Sequence, residues 1–381
     1  MRILVRLAML LLFLSANIKS MAQDNHFVMW NADGTSELVN VPYEKDQTGD
    51  IITNVINVGD AAAVDLSTIA GIMKTTTLGE WIVRTLTYTF KASTNPNCLY
   101  FVDADTEIST EMANSLQGLN VVKGTIAEGI ELKDGFPFYT PRDFTANNIC
   151  YKRLFGKGNQ RGVGGGWQTV VLPFEVETVS VDSKELNWFA NSNDDADFWV
   201  FKYVGDDGDH AVFDYNSESK LAAATPYIVA VPDDSWAGND CSLEGKTLAF
   251  NAENAVVSKE VPTVVSSDNL RFVGTYAGGR NLSNAYVLNG EGTYFTPNSS
   301  INPFNAYVQK KDGTAASARI NISFADDAVA SVDGISTSFD CNSVHTVFDL
   351  SGRMLSTQVG KVPSTLPKGI YIVNGKKVVV R

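Results

Sequence analysis

The sequence predicts a mainly β protein in three parts: a short β-rich N-terminal region, solenoid-like or sandwich, a central β-sandwich or jelly roll, and a small C-terminal antiparallel β module. Three observations carry that reading. Short alternating or β-branched apolar runs recur along the chain, broken by Gly, Asn and Asp. Tight-turn dipeptides sit between pairs of such runs. Aromatic content is high, with 20 Phe and 13 Tyr, while sustained helical periodicity is lacking.

Residues 1–22 read as a secretory signal peptide. Arg2 and Arg6 precede an apolar run, Leu7 to Leu14, that is too short to span hydrocarbon as a helix. Ser20-Met21-Ala22 places small residues where a signal peptidase reads, so cleavage is expected between Ala22 and Gln23. No transmembrane segment is expected in the mature chain, and the expected location is the cell surface or the medium, with the periplasm as fallback.

Residues 23–145 form the first expected domain. His26 to Trp30 and Glu37 to Val41 flank Asn31-Ala-Asp-Gly34 as a hairpin. Apolar runs follow at Ile51 to Val58, Leu86 to Phe90, Cys98 to Val102, Leu119 to Val122 and Ile130 to Leu132. They fit rungs of a short solenoid or strands of a sandwich, and their brevity leans towards rungs. Asp65 to Met73 is the best helical candidate.

Residues 146–325 form the second. Strands are expected at Ile149 to Phe155, Trp167 to Leu172, Phe198 to Val204, Ala211 to Tyr215 and Pro226 to Val231. Further ones fit Leu270 to Thr275, Ala285 to Leu288, Tyr294 to Thr296, Asn305 to Val308 and Ala318 to Phe324. Residues 326–334 read as a linker. In residues 335–381, Val344 to Leu350 and Met354 to Thr357 flank Ser351-Gly-Arg353, and Ile370 to Val373 and Lys376 to Val380 flank Asn374-Gly375. Two hairpins make a four-stranded sheet.

Charge separates these parts. The formal charge of −13 becomes −16 once Arg2, Arg6 and Lys19 leave with the signal peptide. From Cys341 onward six basic residues face only Asp349, so a tail of +5 follows a body of −21. A body this acidic repels phosphate backbones, and nucleic acid is an unsuitable partner. Cys98, Cys150, Cys241 and Cys341 permit disulfides in an exported chain, but buried free thiols fit their wide spacing equally.

Catalytic and metal motifs are few. His26, His210 and His345 lack metal-like or triad-like neighbours, and neither HExxH nor GxSxG occurs. Gly156 to Gly166 lacks the closing Lys-Ser/Thr of a phosphate loop and joins two strand candidates, so it reads as a flexible hairpin loop. No cofactor or metal is expected, although Asn191 to Asp197 offers oxygen ligands that could take calcium. The binding candidates are Trp236, within Asp233-Asp-Ser-Trp-Ala-Gly-Asn-Asp240, and Trp188, beside the Asn/Asp-rich loop. A loop tryptophan can stack on a sugar while amides and carboxylates bond its hydroxyls. The competing reading folds both rings back to staple their loops.

The tail motifs Phe348-Asp-Leu-Ser-Gly-Arg353, Leu366-Pro-Lys-Gly-Ile-Tyr-Ile-Val373 and Lys376-Lys-Val-Val-Val-Arg381 resemble the C-terminal sorting domain of type IX secretion substrates. The resemblance assigns sorting-motif roles to Gly352, Arg353, Pro367, Gly369, Tyr371 and Lys377, and implies secretion machinery as a partner. At about 48 residues the module is shorter than is usual for that family. In the body, Asn95 to Val102, Asp134 to Tyr139, Gly166 to Phe174, Thr225 to Pro232 and Asn302 to Tyr307 are similar to motifs of Bacteroidota-type secreted surface proteins, some of which are adhesins. The resemblance implies a non-enzymatic adhesin for a glycan or a host surface protein. The alternatives are a carbohydrate-active hydrolase with a carboxylate pair, or a structural subunit of an envelope or matrix assembly.

Overall fold

The computed structural model describes residues 26–40, 43–45, 51–67, 76–78, 81–83, 88–105, 110–161, 163–188, 196–236, 242–311, 317–325, 344–349, 354–359, 369–373 and 376–380. Strands take 51% of the chain and helix 2%, in two curled mixed sheets of a mainly β sandwich. The chain divides into two compact units, residues 1–131 with 137–147 and residues 132–136 with 148–381. The signal peptide, its cleavage site at Ala22 and Gln23, and the 326–334 linker lie outside the described residues.

In the first unit, Ala63–Asp65, Leu99–Val102 and Asn120–Lys123 run parallel, with Ala63 and Asn120 both opposite Leu99. This is the pairing of stacked rungs, since hairpins would make neighbours antiparallel. His26–Trp30 and Ser36–Asn40 form the expected hairpin and cover one end antiparallel to Ala63–Asp65. Ile126–Ala127 continues the other end, antiparallel to the third rung and parallel to Thr145 and Ala146. Every residue of Leu99–Val102 is buried, as a strand covered on both faces requires.

Buried amides hold the turns between rungs. Asn120 Nδ2 donates to Pro96 O (3.2 Å) and Glu131 O (3.1 Å), and its Oδ1 accepts from Glu131 N (2.9 Å). Asn95 Nδ2 donates to Pro137 O (3.0 Å), and its Oδ1 accepts from Asn97 N (3.0 Å). These bonds satisfy backbone groups that no strand reaches. The one helix among the described residues is Thr110–Leu116, in the link between two rungs. Asp65, where a helix was expected to begin, instead ends a strand, and residues 68–73 lie outside the described residues.

The second unit contains a ten-stranded sheet, in the order Gln168–Val170, Tyr227–Ala230, Trp199–Asp207, His210–Tyr215, Ile320–Phe324, Tyr294–Pro297, Ala285–Leu288, Asn305–Lys310, Leu270–Thr275 and Val264–Ser266. The sheet curls until Val171 N donates to Phe304 O (3.1 Å) and Ala306 N to Thr169 Oγ1 (3.0 Å). The curl encloses a mostly aromatic core that includes Trp167, Phe201, Phe213, Phe272 and Phe295. Phe213 meets Phe272 edge to face at 5.4 Å, and Trp167 meets Phe201 at 5.2 Å. A second layer brings Tyr151 of Phe144–Phe155 and Phe250 of Lys246–Val257 within 6.0 Å. Tyr151 also lies 4.9 Å from Phe304.

The C-terminal strands Val344–Asp349, Met354–Val359, Gly369–Val373 and Lys376–Val380 form an antiparallel sheet in which Val344–Asp349 and Gly369–Val373 are central. These are the two hairpins that Ser351-Gly-Arg353 and Asn374-Gly375 predict. A register shift lies between Val347 and Phe348.

Candidate functional site

Two segments that stand out in the sequence, the glycine-rich loop and the Trp236 loop, meet in the second unit. Asn159 N donates to Val231 O (2.6 Å), Asp233 N to Asn159 O (3.2 Å), and Arg161 N to Ser235 Oγ (2.7 Å). Trp236 Nε1 donates to Asn159 O at 2.5 Å. The glycines permit this crossing. A Cβ on Gly158 would stand 2.7 Å from Asp233 N in the Trp236 loop, and one on Gly166 (φ +70°) would stand 2.4 Å from Gly158 C.

The geometry also explains why the loop is not a phosphate cradle. A cradle needs backbone N–H groups turned to the ligand. Here the amides of Gln160, Val163 and Gly164 bond within the loop, and those of Asn159, Arg161, Gly166 and Trp167 bond to neighbouring segments. The loop is anchored from several sides, which corrects the expectation of a flexible hairpin connection.

Trp236 is 5% exposed and its ring centroid lies 4.9 Å from that of Trp199. Trp188 is 8% exposed and lies 5.1 Å from Phe198. Neither ring presents a face to solvent, so stacking on a sugar is replaced by stapling of loops to the core. Ser235 N donates to Asp233 Oδ1 (2.9 Å), an Asx turn that directs Trp236 inward despite its polar neighbours. The Asn191 to Asp197 loop lies outside the described residues except for Ala196 and Asp197, and Asp197 Oδ2 accepts from Asn187 N (2.8 Å). Among the described residues no group of three metal-ligating side chains converges.

A second centre had no place in the sequence reading. Arg153, 2% exposed, forks its guanidinium between Thr169 O (Nη1, 2.5 Å), Phe304 O (Nη2, 3.1 Å) and Asp134 Oδ1 (Nη2, 2.9 Å). Tyr151 donates its hydroxyl to the same Asp134 oxygen at 2.7 Å, and burial pushes this phenol well above its ordinary range. Asp134, Thr169 and Phe304 come from three of the body motifs that resemble secreted surface proteins. Those motifs therefore meet at one buried cation, where they fix chain crossings. A bidentate guanidinium suits this role because its planar donors reach several carbonyls at once.

Of the sorting-motif residues, Gly369, Tyr371 and Lys377 lie on described strands, whereas Gly352, Arg353 and Pro367 lie outside the described residues. Tyr371 is paired with Asp349 and with Val378, and Lys377 with Ile372.

Cys98 is a buried free thiol. Burial pushes the Cys98 thiol up to about 12, so at pH 8 only about one part in ten thousand is thiolate. We expect iodoacetamide at that pH to leave Cys98 unlabelled in the native chain and to label it in denaturant. Peptide mass mapping that found native labelling would contradict the placement. Comparison with family models, curated proteins and solved structures finds no match.

Proposed function

We propose that the chain is an exported, surface-associated or secreted binding protein with an adhesive role. Its body binds a glycan or host surface protein, and its C-terminal module directs its placement. The observation that carries this reading is the tail. A basic stretch with turn and Leu-Pro-Lys-Gly-x-Tyr motifs resembling a sorting domain folds as a four-stranded antiparallel sheet after an acidic body. The body contributes loops locked by backbone bonds and an indole, and such loops present exposed groups with little ordering cost on binding.

The test is deletion of residues 335–381. We expect the full chain to be labelled by a membrane-impermeant reagent on intact cells. The truncated chain should remain in the periplasm, with its body melting at the same temperature. Equal surface labelling of both would refute the sorting role. A glycan and host-glycoprotein array probed with the full chain tests the binding role.

A further inference from the structure

The outer face of the ten-stranded sheet carries a row of side chains that the core packing does not use. Asp207 pairs with His210 across a hairpin, His210 with Asn321, and Asn321 with Tyr294. Directly paired residues share a face, and Ala211, Phe213, Phe295 and Ile320 point to the core, so the row points outward. Asp207 and His210 are exposed, while Asn321 and Tyr294 are half-buried. Asn321 Nδ2 lies 3.5 Å from His210 Nε2, and the exposed Arg319 holds its guanidinium carbon 5.2 Å from the centre of the Tyr294 ring.

We propose that this row binds a short acidic oligosaccharide, with Arg319 recognising the carboxylate of a hexuronate. The proposal rests on the glycan-binding reading above and names its site and sugar class. Several observations converge on that chemistry. Arg319 has no carboxylate partner among the ion pairs of the described residues, although the protein is strongly acidic. Seated on an aromatic ring, its guanidinium is oriented at low entropic cost and keeps its N–H edge for a planar, bidentate acceptor. Asn321 supplies the paired donor and acceptor that vicinal hydroxyls require, and Asp207 supplies an acceptor at the end away from Arg319.

The nearby Asp209 does not oppose the anion directly, because its carboxylate is taken up by Lys310 Nζ (3.0 Å) and by Ser317. From Asp207 to Tyr294 the row crosses three strand spacings, about 14 Å, which suits two or three sugar rings. Asp207, His210, Asn321 and Tyr294 stand on strands of one sheet and Arg319 immediately precedes one of them, so the row is preformed.

Titration calorimetry on the full chain tests this with a short oligogalacturonate and with the same oligosaccharide after carboxyl reduction to galactose. We expect the uronate to bind, salt to weaken it, and the reduced sugar to bind at least tenfold more weakly. Arg319→Gln should lose at least tenfold and Asn321→Ala severalfold, at unchanged melting temperature. Arg280→Gln, an exposed arginine elsewhere, should bind as the parent does. Equal binding by Arg319→Gln, or equal affinity for the two sugars, would overturn the site. A hit on the array for a neutral glycan or a protein without uronate binding would overturn it too, leaving the adhesive reading in place. Silence on both the array and the calorimeter would remove both.

Discussion

Trp236→Ala is expected to destabilise the protein by about 3–5 kcal/mol, the range for truncating a large buried aromatic. The indole is 5% exposed, packs on Trp199, and bonds the carbonyl of Asn159. Its removal leaves a cavity beneath the crossing of two loops. The Asn159 oxygen keeps one partner, Asp233 N, so cavity formation accounts for most of the cost. Trp236→Phe retains much of the ring volume and loses the indole donor, and a loss of about 1–2 kcal/mol is expected. Guanidinium unfolding followed by far-UV circular dichroism reads both values. A ligand-stacking tryptophan would behave in the opposite way, with binding abolished and the unfolding midpoint unmoved. That result would contradict the burial described here.

Trp236 also shows what the sequence could convey. Asp233, Asp234 and Ser235 announce an exposed polar turn, and the turn is real. The direction of the next side chain depends on backbone dihedrals and on the distant Asn159, neither of which local composition encodes. The C-terminal hairpins were legible because Asn374-Gly375 and Ser351-Gly-Arg353 are local signals with a backbone reason. The long strand Lys246–Val257 was not, because Asn254 adopts φ +50° and two polar exposed residues in succession interrupt the alternation. Thr110–Leu116 is too short to establish a helical period, and its one local mark is Gly118 at φ +76°, just beyond its end. Arg153 escaped for a related reason. Ile149, Tyr151 and Phe155 all face inward, and a charged residue in that series reads from composition as an interruption. The partners that make it a core residue lie at least 16 positions away in sequence. The row at Arg319 is likewise formed by cross-strand pairing, which joins residues that are distant along the chain.

Arg153→Met should destabilise by about 3 kcal/mol, since two carbonyls each lose a hydrogen bond to a charged group worth at least about 1.5 kcal/mol. The substitution keeps the length of the apolar stem and removes every donor. Thr169 O and Phe304 O then lose a charged partner inside the protein, while Asp134, 37% exposed on its side chain, can turn to water. That asymmetry makes the carbonyls the main source of the loss, and it orders the variants. Asp134→Asn should cost only about 1 kcal/mol, because Arg153 keeps both carbonyls. Arg153→Lys should fall between them, since an ammonium on a flexible stem cannot reproduce the fork. A double-mutant cycle of Arg153→Met with Asp134→Asn then isolates the ion pair, with a coupling of about 1 kcal/mol expected. If Asp134→Asn cost as much as Arg153→Met, the salt bridge would be the dominant bond of the centre. The centre would then be held chiefly by the bond to Asp134, and the convergence of the Thr169 and Phe304 carbonyls on the buried fork would carry little of the stability.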